Sequence, residues 1–142
     1  MTTTREDNLA VLEGYFAAMA AGGPPAALPF YAENVVLEVP GGHEASGTYE
    51  GHDGVKAFGA TMARLSGGTF RLVPIDLLAS DDHVVTVANA AVGPDGQRTE
   101  WRRLILSTVT EGKLSHLRFF ESDQAAVDAA LSGASALSGA SA

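Results

Sequence analysis

The stretch Leu37-Glu38-Val39-Pro40-Gly41-Gly42-His43-Glu44-Ala45-Ser46-Gly47-Thr48-Tyr49-Glu50-Gly51-His52-Asp53-Gly54-Val55 separates two kinds of pattern in this chain. Val35 to Val39 is β-branched and apolar, a strand closed by Pro40. A Gly-rich crossing follows, and a helix is expected to start near Asp53, whose carboxylate can cap it. Two histidines and a tyrosine lie in the crossing, so a pocket is expected to open there.

Before this stretch the pattern is helical. Leu9, Leu12, Phe16 and Met19 step by three and four between Glu6 and Ala21, with Tyr15 flanking the stripe and its hydroxyl in need of a partner. Gly22-Gly23-Pro24-Pro25 ends that helix, and a short second one can follow from Pro25, because proline is tolerated in a first turn. After the stretch, Val55, Phe58, Met62 and Leu65 again step by three and four until Ser66-Gly67-Gly68. Strand-like runs then cover Thr69–Ala79, His83–Val92, Gln97–Thr110 and Lys113–Glu121. Their separators carry short turn chemistry, so neighbours are expected to pair as antiparallel hairpins. Pro74 marks an edge or a bulge, because it cannot donate to a ladder. Asp123–Leu131 reads as a closing helical turn or two.

The resulting expectation is an α+β fold, with a curved, mostly antiparallel sheet wrapped by three N-terminal helices around an apolar cone. Residues 1–131 are expected to form one unit, and the Ser/Gly/Ala repeat over 132–142 a flexible tail.

The 142 residues suffice for a sizeable core, and a hydrophobic share of 46% is ordinary for a globular chain. Seventeen acids against nine bases, a formal charge of −8, disfavour nucleic acid or anionic lipid as a partner. No apolar run approaches the roughly 20 residues that span a bilayer, and the first residues lack the apolar core of a secretion signal. A soluble, cytoplasmic domain without membrane contact is expected. Without cysteine there is no disulfide or thiolate nucleophile. The four histidines show no metal-ligand spacing, so no metal is expected. The glycines lie scattered in turns, so no dinucleotide cofactor is expected either.

Tyr15-Phe16-Ala17-Ala18-Met19-Ala20-Ala21-Gly22, followed by Phe30-Tyr31-Ala32-Glu33-Asn34-Val35, resembles the opening of the nuclear-transport-factor-2-like superfamily. Leu37-Glu38-Val39-Pro40 with Gly47-Thr48-Tyr49-Glu50-Gly51-His52-Asp53-Gly54-Val55, and later Glu111-Gly112-Lys113-Leu114, is similar to its SnoaL-like polyketide cyclase branch. The resemblance runs from about Leu9 to Asp123. It implies a cone-shaped α+β barrel, often dimeric, with an apolar pocket, so a homodimer is expected. Superfamily members include ketosteroid isomerases, limonene-epoxide hydrolases, aldol and pericyclic cyclases of antibiotic pathways, and plain binders.

Tyr15 matches the oxyanion tyrosine of the isomerases. Their general-base carboxylate precedes the proline that ends the first strand, where Val39 stands here, and Leu104 takes the place of their second acid. Leu117-Arg118-Phe119-Phe120 occupies the region where cyclases and epoxide hydrolases carry a carboxylate, with no acid before Glu121. With those acids missing, the usual isomerase, aldol and epoxide mechanisms are not expected. An apolar cone that folds a flexible substrate, with one donor polarising a carbonyl, is the reading that remains.

Tyr15 can donate to substrate or bond a core carbonyl. His43 has an ordinary pKa suited to proton transfer at the pocket mouth, or it is a solvated loop residue. If Leu104 faces the pocket, Arg102 and Glu100 share its side and could orient a carbonyl or carboxylate. The alternative is a charged strand end, or a dimer contact through Trp101. Leu37, Val39, Phe58, Met62, Leu104 and Phe119 are expected to be core and pocket wall at once. His52 is assigned to the helix start and His83 to the surface, while His116 and Arg118 lie on the last strand. Three functions follow: a cofactor-independent cyclase or isomerase of a polyketide or similar apolar molecule in secondary metabolism, a non-catalytic binder, or a structural domain whose cone is filled by its own side chains. An epoxide-hydrolase-like enzyme is a further alternative.

Overall fold

A computed structural model of the chain describes residues 4–132. The expected tail therefore lies, beyond Ser132, outside the described residues. Helix α1 (Arg5–Ala27) begins with a capping box. The Thr4 hydroxyl accepts from the Asp7 N–H, and the Asp7 carboxylate accepts from the Thr4 N–H, which satisfies two otherwise orphaned donors. Its course breaks at Gly23, whose φ of +73° is left-handed, and restarts on Pro24 and Pro25. A 3₁₀ turn (Leu28–Phe30) then leads into β1 (Tyr31–Val39).

The crossing after Pro40 holds more order than its glycines suggest. A short strand, β2 (Gly47–Glu50), folds back antiparallel on β1, with Leu37 opposite Tyr49. Helix α2 (Gly51–Ser66) follows at once. It starts two residues earlier than expected, and Asp53 lies inside its first turn rather than capping it. Its negative charge still favours that end of the helix. Gly67, at φ +61°, closes α2 in the left-handed conformation.

Strands β3 (Arg71–Ala79), β4 (His83–Val92), β5 (Thr99–Thr110) and β6 (Lys113–Glu121) form an antiparallel meander, and α3 (Gln124–Ala130) closes the described chain. The sheet order is β2-β1-β6-β5-β4-β3. All neighbours are antiparallel except β1 and β6, which run parallel, so the sheet is mixed. Pro74 is both an edge residue and a register break: β3 is the last strand, and its pairing with β4 slips between Pro74 and Asp76.

Inward residues alternate along the strands, with Val84 and Thr86 on β4, Trp101, Arg103, Ile105 and Ser107 on β5, and Leu117 and Phe119 on β6 all buried. Helix α1 packs mainly on β3 and β4, at one end of the sheet. Helix α2 packs on β1 and β2, at the other. Between these two helices, and beside α3, which packs on β5, the concave face of the middle strands borders a cavity. Among the described residues, no helix is long and apolar enough to cross a membrane.

Candidate functional site

The cavity holds about 560 Å³. Leu12, Tyr15, Phe16 and Met19 of α1 form one wall, Val55, Phe58 and Met62 of α2 another, and the concave sheet the floor. Gly23 and Pro24 at the α1 break, Ala63 and Gly68 at the end of α2 and exposed Arg71 bring solvent-facing residues to it, which places the mouth between them. Arg71 is held at that rim by donating to the carbonyls of Gly68 and Phe70.

Tyr15 and Tyr31 meet inside, their hydroxyl oxygens 2.7 Å apart. Both are buried, and among the described residues neither hydroxyl has another protein partner. Whichever phenol donates to the other, the acceptor's own O–H is left free for a ligand. Burial raises the pKa of both phenols; for Tyr31 the neighbouring Tyr15 raises it further, while for Tyr15 the shared hydrogen bond partly offsets the rise. The pair is fully protonated at neutral pH. Its rings are fixed edge-on to each other at 5.5 Å, with Phe16 edge-on to Tyr15 at 5.0 Å. His52, at the start of α2, bonds the Tyr31 carbonyl at 2.9 Å and ties β1 to the helix at this point.

A second polar group lies further along β5. Arg103 lines the cavity, is 3% exposed, and forms a bidentate pair with the fully buried Glu121 carboxylate, Nε to Oε1 at 2.9 Å and Nη2 to Oε2 at 2.7 Å. Trp101 Nε1 donates to the same Oε1 at 3.2 Å. The guanidinium lies over Phe119 at 4.3 Å, with Phe70 and Trp101 at 5.4 and 5.8 Å. Three further residues of the cavity wall, Ser66, Thr86 and Ser107, carry fully enclosed hydroxyls without a protein partner among the described residues. Among the described residues the wall contains no aspartate or glutamate, because Glu121 sits behind Arg103.

Tyr15, Leu37, Phe58, Met62 and Phe119 all lie on the cavity wall. Val39 is buried in the adjoining core but does not reach the cavity. The expected facing of β5 needs correction by one residue. Leu104 is 38% exposed on the outer face, opposite Phe120, and Arg102 and Glu100 share that side. Arg102 there donates to Asn89 Oδ1 at 3.0 Å. A one-residue shift of phase in a strand exchanges its two faces, and here it brings Trp101 and Arg103 inward. Trp101 is thus buried inside the sheet and is not a dimer contact.

His43 is not at the mouth either. It is 7% exposed beneath α3, in a loop pinned where Gly42 N–H donates to Asp128. Its Nδ1 accepts from the Ala45 N–H, so Nε2 carries the proton, and that atom has no acceptor among the described residues. Burial lowers its pKa and Arg103 adds to this, against the opposing pull of Asp128 and Glu121. Glu38 points outward and pairs with His116 at 2.5 Å. His83 is exposed, and Arg118 lies over Phe120 on the outer face. Among the described residues no cluster could hold a metal ion.

Sequence reasoning missed Tyr31, Arg103 and the three hydroxyls. The signal for Arg103 was Trp101. The largest apolar residue of a strand marks its inward phase, and Arg103 shares that phase.

The comparisons with known proteins agree with this architecture. An uncharacterised protein of Mycobacterium tuberculosis is 30% identical over 126 residues, 88% of this chain and 96% of its own length. Bal32a, from a soil-derived mobile gene cassette, superposes with a TM-score of 0.80 at 23% identity, over 89% of this chain and 98% of that one. A candidate SnoaL-like polyketide cyclase from Jannaschia sp. CCS1 superposes with a TM-score of 0.71 at 19% identity, over 93% and 96%. An NTF2-like protein from Burkholderia xenovorans LB400 superposes with a TM-score of 0.73 at 23% identity, over 92% and 99%, and likenesses at such identities establish the NTF2-like fold. Residues 12–117 match the SnoaL-like domain, three-quarters of the chain, and the protein belongs to that family.

Proposed function

We propose that this protein is a cofactor-independent cyclase or isomerase of a polyketide or similar apolar small molecule in secondary metabolism. The observation that carries this reading is the Tyr15–Tyr31 hydroxyl pair, facing a large apolar cavity whose wall holds no carboxylate among the described residues. A protonated phenol backed by a second phenol donates to a substrate carbonyl and strengthens that bond as negative charge develops on the oxygen. No side chain in the wall is placed to remove a proton from carbon as a carboxylate would. The chemistry that fits is a closure in which the folded substrate supplies its own nucleophile or π-system. Confinement between α1, α2 and the sheet provides the proximity. An epoxide-hydrolase reading lacks support, since it needs an acid in the cavity.

The assay is incubation with linear polyenes, polyketide-like enones and polycyclic ketones, followed by chromatography and mass spectrometry. A product of unchanged mass and altered retention is expected, and it should disappear with Tyr15→Phe combined with Tyr31→Phe. Retention of compounds without conversion would replace the enzyme with a binder. Absence of both would remove the ligand-accepting cavity from the account.

A homodimer is part of the same proposal. Val73, Ile75, Leu78, Leu104 and Phe120 expose apolar surface on the outer side of the sheet, and a second copy would cover it. Sedimentation should give twice the monomer mass, and Leu104→Glu with Phe120→Glu should give a folded monomer.

A further inference from the structure

We infer that Arg103 forms a second carbonyl-binding pole, so that the ligand is an elongated, uncharged molecule with an acceptor oxygen at each end. This deepens the proposed function and rests on it only in needing a cavity that accepts ligands. Of the five N–H donors of the guanidinium, Nε and one on Nη2 are spent on Glu121, and the other three have no acceptor in the protein among the described residues. The aromatic frame of Phe70, Trp101 and Phe119 holds the group in place at the cavity wall. Buried donors of this kind are nearly always satisfied, so a group entering the cavity would be drawn to them as an acceptor.

Charge decides which acceptor. Arg103 and Glu121 sum to zero. A ligand carboxylate would be attracted by the guanidinium but repelled by Glu121, bound to that same guanidinium, and it would also lose its hydration. A carbonyl oxygen loses far less on entry and takes the free N–H groups without a charge penalty. The pair therefore selects neutral oxygen over anionic oxygen.

Strand register gives the spacing. Tyr31 pairs with Leu114, which pairs with Val109. From Arg103 to Val109 along β5 is about 20 Å at roughly 3.3 Å per residue. With both side chains reaching into one cavity, the polar tips stand about 10–20 Å apart. Ser107 faces the same cavity between these two levels, and Thr86 does so on β4 opposite Ile105. An uncharged ligand with an oxygen at each end of an apolar chain of this length matches the two poles.

The test uses the intact protein and three ligands of one chain length: a dodecanedione ending in two methyl ketones, the mono-ketone, and the corresponding keto acid. Each displaces a bound apolar fluorophore, and affinity is read from the displacement curve. The dione is expected to bind about tenfold more tightly than the mono-ketone, and the keto acid no better than the mono-ketone. Arg103→Met combined with Glu121→Gln, which leaves no unpaired buried charge, should abolish the dione's advantage and spare the mono-ketone. Equal binding of dione and mono-ketone to the native protein overturns the second pole while leaving the cavity reading intact. Tightest binding by the keto acid overturns the selection for neutral oxygen. If none of the three displaces the fluorophore, and none binds directly by calorimetry, the cavity reading fails and takes the inference with it.

Discussion

Replacing Arg103 by methionine tests the electrostatic account most directly. Two charge-assisted bonds to Glu121 are lost, and the carboxylate, fully buried, retains only the Trp101 indole as donor. Breaking one partner of such a pair costs about 3–5 kcal/mol, because the remaining charge is left uncompensated. For a domain of this size each kcal/mol moves Tm by about 3–5 °C, so a drop on the order of 10–20 °C is expected. Adding Glu121→Gln removes the stranded charge and keeps an acceptor for Trp101. That double variant should recover more than half of the loss, about 2–3 kcal/mol, and the coupling energy exceeds this by the cost of Glu121→Gln alone. Urea unfolding followed by circular dichroism and by the fluorescence of Trp101, the single tryptophan, measures all four corners of the cycle. A single variant that loses less than about 1 kcal/mol, or a double variant as unstable as the single, would refute the reasoning.

Other expectations follow from the same geometry. Tyr15→Phe deletes one of the two paired hydroxyls and should lower turnover by about 10²-fold with little change in KM, read by steady-state kinetics on the first substrate identified. Thr86→Val replaces an unpartnered buried hydroxyl by a methyl of nearly the same shape. It should stabilise the protein by about 1 kcal/mol, read from the urea midpoint, so a loss of stability would show that the hydroxyl is satisfied after all. His43 has a folded pKa below its ordinary value of 6.5, so the unfolded chain binds its proton first as pH falls. That contribution to stability is complete above about pH 6.5 and declines below it. The urea midpoint should accordingly fall less between pH 7.5 and 5.5 in His43→Gln than in the native chain. The raised pKa values of Tyr15 and Tyr31 act in the opposite direction. Their protons are retained in the fold beyond pH 10, and stability should fall above that pH unless both are phenylalanine.

The helices and long strands were legible because each carries a full period of its pattern and is bounded by turn residues. The α1 break followed from Gly22-Gly23-Pro24-Pro25, and the edge and bulge from Pro74. Two features were hidden for physical reasons. Strand β2 is too short to show alternation, and its order comes from pairing with β1, which no local pattern announces. The facing of β5 was obscured because both faces of the sheet carry apolar residues. Leu104 and Leu106 compete in the pattern with Trp101, Ile105 and Val109, and only burial separates them. The site was therefore half legible. Tyr15 could be named from the sequence, but its partner Tyr31 comes from another element and meets it only through packing. The Arg103–Glu121 pair needs the β5–β6 register to be seen.

The parallel seam between β1 and β6 also bears on the order in which the molecule assembles. The meander β3 to β6 is built from consecutive hairpins whose closing loops are short, whereas the seam pairs Val36 with His116 from distant parts of the chain. Loop-closure entropy places that pairing late. Destabilising the seam, as with Val35→Ala, should then speed unfolding and leave refolding nearly unchanged. Val84→Ala, within the β4–β5 hairpin, should slow refolding instead. Since β1 supplies Tyr31 and Leu37, the cavity comes into existence only as the last wall closes. A ligand held there would act on the kinetics mainly as a brake on unfolding.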